Sequence, residues 1–223
     1  MVRVHGYAPF RFTVAVMNVD HVVYGVEVLE DGVDELAERL GVRPAAGGTH
    51  VGRGTHNALL GLGGGAYLEV IALDPEQPRP AGPLPFALDR LRLPRLVGWA
   101  SRAVDIEGQR ARAAASGHDP GEVLGMSRRR PDGVLLEWRL TRGGTPDPDL
   151  LVVPFLIDWG ASPHPSESTP AGVRLAELRA EHPDPTAIRE RLAALGLDLP
   201  VDEGPAPALV ATLETPKGRV VLR

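Results

Sequence analysis

The sequence predicts an α+β protein built from repeated strand-helix-three-strand (βαβββ) modules. Three observations carry that expectation. A β-branched run, a helix-spaced stretch and a set of short strands recur in that order. A glycine stands at the predicted end of each helix, at Gly41, Gly117 and Gly196. The composition, 43% hydrophobic and 24% charged, is that of an ordinary globular chain.

The first module is expected over residues 19–73. The run Val19–Val28 is largely apolar and β-branched and is broken by His21. The stretch after it has Val33, Leu36, Ala37 and Leu40 at helical spacing before Gly41. A short strand near Val42, a glycine-rich loop over 47–54, a strand from His56 to Leu62, the turn Gly63-Gly64-Gly65 and a strand from Ala66 to Leu73 complete it. Residues 74–96 hold six prolines and read as a linker or wrapping arm. A second module is expected over 97–159, with a strand at 97–104, a helix at 106–116 and strands near 123, at 134–141 and at 150–157. A loop over 160–172 leads into a third, partial or divergent module over 173–223. The first 18 residues form an N-terminal extension with Arg3 and Arg11 but no sustained apolar stretch, so no signal peptide is expected.

Strand alternation sorts the side chains by face. His21, Val23 and Gly25 share one face of the first strand, and Tyr67, Glu69 and Ile71 share one face of the later one. Opposite them, Val22, Tyr24 and Val26 on the first strand and Leu68, Val70 and Ala72 on the later one are apolar and suit the underside of a helix, which leaves His21 and Glu69 together on the concave side. Whether His56 joins them depends on hairpin register, because a slip of one residue reverses the face.

Composition narrows the chemistry. There is no cysteine, which removes disulfides, thiolate metal sites and a cysteine nucleophile and leaves His and carboxylate as the strong metal ligands. Of the 24 basic residues only Lys217 is a lysine, so Schiff-base chemistry is not expected. The net charge of −5 argues against a nucleic-acid partner. No stretch suggests a membrane span, and a cytoplasmic location is expected. The run Arg128-Arg129-Arg130 precedes a Pro131-Asp132-Gly133 turn and reads as a solvated hairpin tip. Gly61–Gly65 lacks the Gly-Lys-Ser/Thr ending of a phosphate loop and leads into a strand, so it reads as a hairpin turn. Ser162 and Ser166 lack the glycine elbow of a serine nucleophile. Trp138 reads as core.

Asp20-His21 opening the first module and Tyr67-Leu68-Glu69 closing it resemble the vicinal oxygen chelate superfamily, which includes glyoxalase I. GTHVGRGTHNALLGLGGGAYLEVIALDPEQP, VGWASRAVD and PFLIDWGASPHPS are similar to the glyoxalase-like domain family within it. The resemblance covers residues 19–172 directly. It implies curved mixed sheets around a cavity and a divalent metal (Zn, Fe, Mn or Ni) held on the first and last strands of each module. Carried over, His21 and Glu69 match the ligands of the first module. In the second, Trp99 stands where His21 does and Asp158 is the carboxylate matching Glu69, so His56 or His164 is needed to supply the missing nitrogen.

The resulting expectation is a metal set of His21, Glu69, His56 and Asp158, with Glu69 and His56 catalytic and His50, Asn57, Trp99 and His164 on the substrate. Two imidazoles with carboxylates make a nitrogen-oxygen site able to polarise a carbonyl and stabilise an enediolate. The activity implied is that of a lyase, isomerase or dioxygenase acting on a small oxygenated metabolite. A metal-free small-molecule binding or resistance-type protein is the alternative. A homodimer is expected to cover the sheet edge that an odd third module leaves open.

Overall fold

Alternation along the first strand sets the wall on which the rest is laid. The computed structural model describes residues 18–80, 82, 84–92, 94–142 and 148–223, so the N-terminal extension lies, residue 18 apart, outside the described residues. Strand β1 (Val19–Gly25) is buried along its whole length. Val22 and Tyr24 enter one apolar core, while Val23 enters another on the opposite face. Helix α1 (Leu29–Leu40) has Glu30 and Asp31 in its first turn, where the helix dipole favours them, and buries Val33, Leu36 and Leu40. It stops where Gly41 takes φ 74° and its N–H reaches the Ala37 carbonyl at 2.9 Å.

Strands β2 (Ala45–His50), β3 (Thr55–Gly61) and β4 (Tyr67–Leu73) follow. Ala58, Leu60, Leu68, Val70 and Ala72 share the core of α1, which leaves Tyr67 and Glu69 facing the other way. The second round consists of β5 (Arg95–Arg102), α2 (Ile106–Ala115), β6 (Glu122–Arg129), β7 (Leu135–Arg142) and β8 (Phe155–Asp158). Asp105 caps α2 by accepting from the Gly108 N–H at 3.0 Å.

The two rounds close one barrel in the order β1-β4-β3-β2-β6-β7-β8-β5. Within each round the first strand runs parallel to the last, β1 with β4 and β5 with β8. The rounds join through the long antiparallel pair β1–β5 and a short β2–β6 seam, where Thr49 faces Arg129 and His50 faces Arg128.

The third segment, β9 (Arg174–His182), α3 (Pro185–Ala194), β10 (Val201–Glu203), β11 (Ala208–Thr215) and β12 (Gly218–Leu222), repeats the order of elements but not their pairing. Its sheet runs β10-β9-β11-β12, so its first strand pairs with β10 and β11 and not with the last strand. It packs on the outside of the barrel. Leu175, Leu178, Ile188 and Leu213 share one core with Val22, Leu36, Leu60 and Trp99.

Three expectations need correction. The glycine-rich stretch 47–54 is not all loop: residues 45–50 form β2, and a turn occupies 51–54. The stretch 150–157 is not one strand but a 3-10 turn at Pro148–Leu151 followed by β8. The proline-rich arm does not merely wrap. Its 3-10 helix (Pro85–Arg90) supplies Leu88, which with Leu91 packs against Val23, Ile71 and Val97 to fill part of the barrel interior. Among the described residues no helix is long and apolar enough to cross a membrane.

The β2–β6 seam depends on glycine. Gly48 has φ 133°, and a Cβ there would overlap the Arg129 carbonyl oxygen across the seam. Gly125, also in β6, has nothing within 4 Å of a built Cβ. Gly48→Ala is expected to cost about 1–3 kcal/mol and Gly125→Ala within roughly 1 kcal/mol of zero. Urea denaturation of the two variants beside the parent checks this, and equal midpoints for all three would rule out a strained seam.

Candidate functional site

Register decides which side chains meet inside the barrel. His21 pairs with Tyr67 and Val23 with Glu69, so the inward faces of β1 and β4 lie side by side. Across β3, Glu69 faces Leu59 and Ile71 faces Asn57. On β2 and β6, His50 pairs with both Thr55 and Arg128, and Arg128 pairs with Leu136 of the interior apolar cluster. The polar interior is therefore His21, His50, Asn57, Tyr67, Glu69 and Arg128, all buried. The second module lines the same space with Ala100, Met126, Leu136, Trp138, Phe155 and Ile157.

Hydrogen-bond logic assigns the protons. Asp20 Oδ1 lies 2.9 Å from His21 Nδ1, and a carboxylate only accepts, so Nδ1 carries a proton and, in the neutral ring, Nε2 presents the lone pair. That lone pair faces Glu69 Oε2 at 3.7 Å. Arg128 Nη1 donates to Asn57 Oδ1 at 2.9 Å, and Asn57 Nδ2 donates to Glu69 Oε1 at 2.6 Å, which fixes the orientation of the amide. The same Nδ2 lies 3.4 Å from His50 Nε2, so His50 carries its proton on Nδ1 and donates it to Thr55 Oγ1 at 2.9 Å. His50 Nε2 is 3.6 Å from Glu69 Oε1. Tyr67 stacks on His21, with centroids 4.7 Å apart at 21°, and Phe155 meets the same ring edge-on.

Behind His21 sits a buried hub. Asp20 Oδ1 also accepts from Trp159 Nε1 at 3.3 Å, and Oδ2 accepts from Arg102 Nε at 2.9 Å and from His164 Nε2 at 3.0 Å. The Ser166 N–H donates to His164 Nδ1 at 3.2 Å, and His164 Nε2 lies against both Asp20 Oδ2 at 3.0 Å and Arg102 Nη2 at 2.8 Å, so the ring sits between the carboxylate and the guanidinium that pairs with it. Adjacent strand residues normally point apart. An irregularity in the β1–β5 register between Val19 and His21 accompanies the arrangement in which Asp20 turns back to its neighbour.

Electrostatics follow from this packing. Burial opposes charge on Asp20, but the hydrogen bonds from His164 and His21 outweigh it and hold the carboxyl far below the usual carboxylate range. Burial lowers His50 to about 4, with Arg128 adding to the effect and Glu69 opposing it, so His50 is neutral at neutral pH. Burial, then Asp20 and Glu69, push the Tyr67 hydroxyl well above its ordinary value. Burial also lowers Arg128, against the pull of Tyr67 and Glu69.

Of the residues expected from sequence, His21, His50, Asn57 and Glu69 meet. His56 does not, because its partners Ala72 and Thr49 put it on the outer face, opposite the one carrying Asn57. Trp99 also points outward, into the main core, where its Nε1 donates to the Val152 carbonyl at 2.8 Å. Asp158 follows the inward Ile157 and lies on the outer face, paired with Arg139. His164 reaches Asp20 and not Glu69. Arg128 is not at a solvated tip. It is 3% exposed inside the barrel, while Arg129 and the turn beyond it are exposed. Arg128 and Asp20 join this network and were not among the site residues expected from the sequence. The pair Asp20-His21 was a visible signal for one; for Arg128 the signal was only the bare glycines of β2, opposite it.

These donors do not fit the divalent metal that the resemblance implies. Such a site needs three or four protein atoms about 2.0–2.2 Å from one point. His21 Nε2 and Glu69 Oε2 are free to converge, but His50 Nε2 and Glu69 Oε1 both face the Asn57 amide hydrogens. Asp158 and His56 are outside, and a guanidinium shares the interior. Among the described residues no group of three or more His, Asp or Glu is gathered to hold a metal ion.

The sequence profile described as the glyoxalase-like domain matches residues 19–196. A hypothetical protein from Staphylococcus aureus superposes with a TM-score of 0.62 at 15% identity, covering 91% of this chain and 83% of that one. Methylmalonyl-CoA epimerase from Mycobacterium tuberculosis superposes more loosely, with a TM-score of 0.41 at 19% identity over 71% of this chain and 95% of that one. A mutant 4-hydroxymandelate synthase from Streptomyces coelicolor gives 0.49 at 16% identity over 92% of this chain and 62% of that one. No curated protein matches the sequence.

His50 gives the site a pH signature. It is held neutral when folded but binds a proton near pH 6.5 when unfolded. Its contribution is therefore complete above about pH 6.5 and is lost as pH falls toward 4, by roughly 3 kcal/mol in all. Asp20 acts lower, its contribution being present above the ordinary carboxylate range and lost below it. Stability measured from pH 7 to 4 is expected to fall in the parent and to stay flatter in His50→Gln; identical slopes would show that His50 is not held neutral.

Proposed function

The chain belongs to the glyoxalase-like domain family of the vicinal oxygen chelate superfamily, and on that premise we propose that it is an enzyme of isomerase or lyase type that moves a proton on a small oxygenated metabolite. One observation carries the reading. Asp20 accepts a hydrogen bond from His21 Nδ1–H, so in the neutral ring the Nε2 lone pair faces Glu69 Oε2 across 3.7 Å, too far for a hydrogen bond between them.

A carboxylate beside a neutral imidazole is an acid-base pair with separable roles. Glu69, steadied by the Asn57 amide, takes a proton from the carbon beside a carbonyl. His21 Nε2 takes the proton of the neighbouring hydroxyl and gives it to the carbonyl oxygen, and Glu69 returns its own proton at the neighbouring carbon. The imidazolium formed in between is stabilised by Asp20, which already bonds its other nitrogen. Stacking on Tyr67 holds the ring plane. The apolar wall of the second module excludes water from the carbanion, and the deep burial of the whole set strengthens each of these interactions.

Members of the superfamily typically use a divalent metal. With two free donor atoms in this interior, the proton steps are assigned to the side chains themselves.

Deuterium uptake in D2O, followed by NMR over a panel of small 2-oxo and 2-hydroxy carbonyl compounds, tests the reading. One compound class is expected to exchange its C–H with the parent protein. Glu69→Gln is expected to slow that exchange by about 10²–10⁴-fold and His21→Asn by about 10²-fold or more. Exchange unaffected by Glu69→Gln would remove it as the base. Metal analysis after loading with Zn, Mn, Fe or Ni is expected to find no stoichiometric ion. A bound ion that is lost in His21→Ala and Glu69→Ala would replace this reading with the metal-dependent one.

A further inference from the structure

Arg128 is a buried cation without a counter-ion. It is 3% exposed, its Nη1 donates to Asn57 Oδ1 at 2.9 Å, and its Nε is fully enclosed with no hydrogen-bond partner. Among the described residues it makes no ion pair: Glu69, the interior carboxylate, is bonded to Asn57, which stands between them. A guanidinium offers five N–H donors in a planar fork, and a buried one is ordinarily paired. The fold makes room for this arrangement. A Cβ at Gly47 would overlap both Asn57 Oδ1 and Arg128 Nη1, so β2 is bare where the pair crosses it.

Building on the proton-transfer reading, we propose that Arg128 is the binding residue for a carboxylate on the substrate, with Asn57 spacing that carboxylate from Glu69. The fork geometry of Arg128 matches two coplanar oxygens. Asn57 touches Arg128 at 2.9 Å and Glu69 at 2.6 Å, so one amide separates the anion-binding group from the base. That separation suits a short acid whose reacting carbon lies one or two bonds from its carboxylate, which is a 2-oxo or 2-hydroxy acid of a few carbons. Leu136 and Trp138, on the strand beside Arg128, give its alkyl end an apolar wall. The arrangement explains why a solitary positive charge is kept in a barrel whose second module is otherwise apolar.

The test uses the full chain with 2-oxobutyrate, its uncharged amide and inorganic phosphate, followed by calorimetric titration and thermal denaturation. The parent protein is expected to bind 2-oxobutyrate at least tenfold more tightly than the amide or phosphate. Arg128→Met is expected to lose that preference while melting at or above the parent temperature, because an unpaired buried charge has been removed. Arg128→Lys, which keeps the charge but not the fork, is expected to bind 2-oxobutyrate several-fold more weakly than the parent. Equal binding of acid and amide, tighter binding of phosphate, no binding of the acid, or full binding by either Arg128 variant would overturn the proposal. Glu69→Gln separates the two readings. It is expected to retain 2-oxobutyrate binding and lose exchange, and a parent protein that binds the acid through Arg128 without exchanging its protons would leave the recognition standing and remove the chemistry.

Discussion

The buried carboxylate of Asp20 is the interaction on which the interior is organised. It collects His21 from its own strand, Arg102 from the end of β5, and Trp159 and His164 from the loop after β8. Charge buried this deeply is tolerable only when every lone pair is used, and here four donors from three parts of the chain use them. One consequence is mechanical, since the hub ties the end of the second module to the first strand of the first. The other is chemical: with one imidazole nitrogen committed to Asp20, His21 has a single tautomer and turns a lone pair toward Glu69. The irregular β1–β5 register lets two neighbouring residues serve one network.

Around that hub the barrel is divided. The first module contributes His21, His50, Asn57, Tyr67 and Glu69, and the second contributes aromatic and aliphatic side chains. Two modules with the same order of elements thus do different work, one holding the polar machinery and the other keeping the space dry. Arg128 crosses this division. It comes from β6 but reaches Asn57 because Gly48 lets β2 and β6 approach at the seam and Gly47 leaves space for its guanidinium. The third segment repeats the element order once more, yet its different pairing takes it out of the barrel. There it buries the outer faces of strands whose inner faces carry the site.

Strand alternation was enough to place His21 and Glu69 on a common inward face, because Val22, Tyr24 and Val26 on one strand and Leu68, Val70 and Ala72 on the other are apolar and have to meet a helix. The three helices and their glycine stops were legible for a similar reason, being set by local spacing and backbone conformation. His56 was not, since its face is set by the register of a hairpin and a shift of one residue exchanges it with Asn57. Trp99 and Asp158 were matched by position in a repeated module, but each falls at an outward position and is satisfied there, by Val152 and by Arg139. Arg128 looked like a solvated charge because two more arginines and a turn follow it.

The sequence by itself determined the order of elements, their α+β character and the inward face shared by His21 and Glu69, since these depend on periodicity and on residues close together in the chain. The tertiary structure decided which modules close into the barrel, which histidine joins Glu69, and that an arginine stands beside them. Those outcomes rest on the pairing of strands far apart in sequence. There, a register shift of one residue or two missing Cβ atoms turns a side chain from solvent to interior.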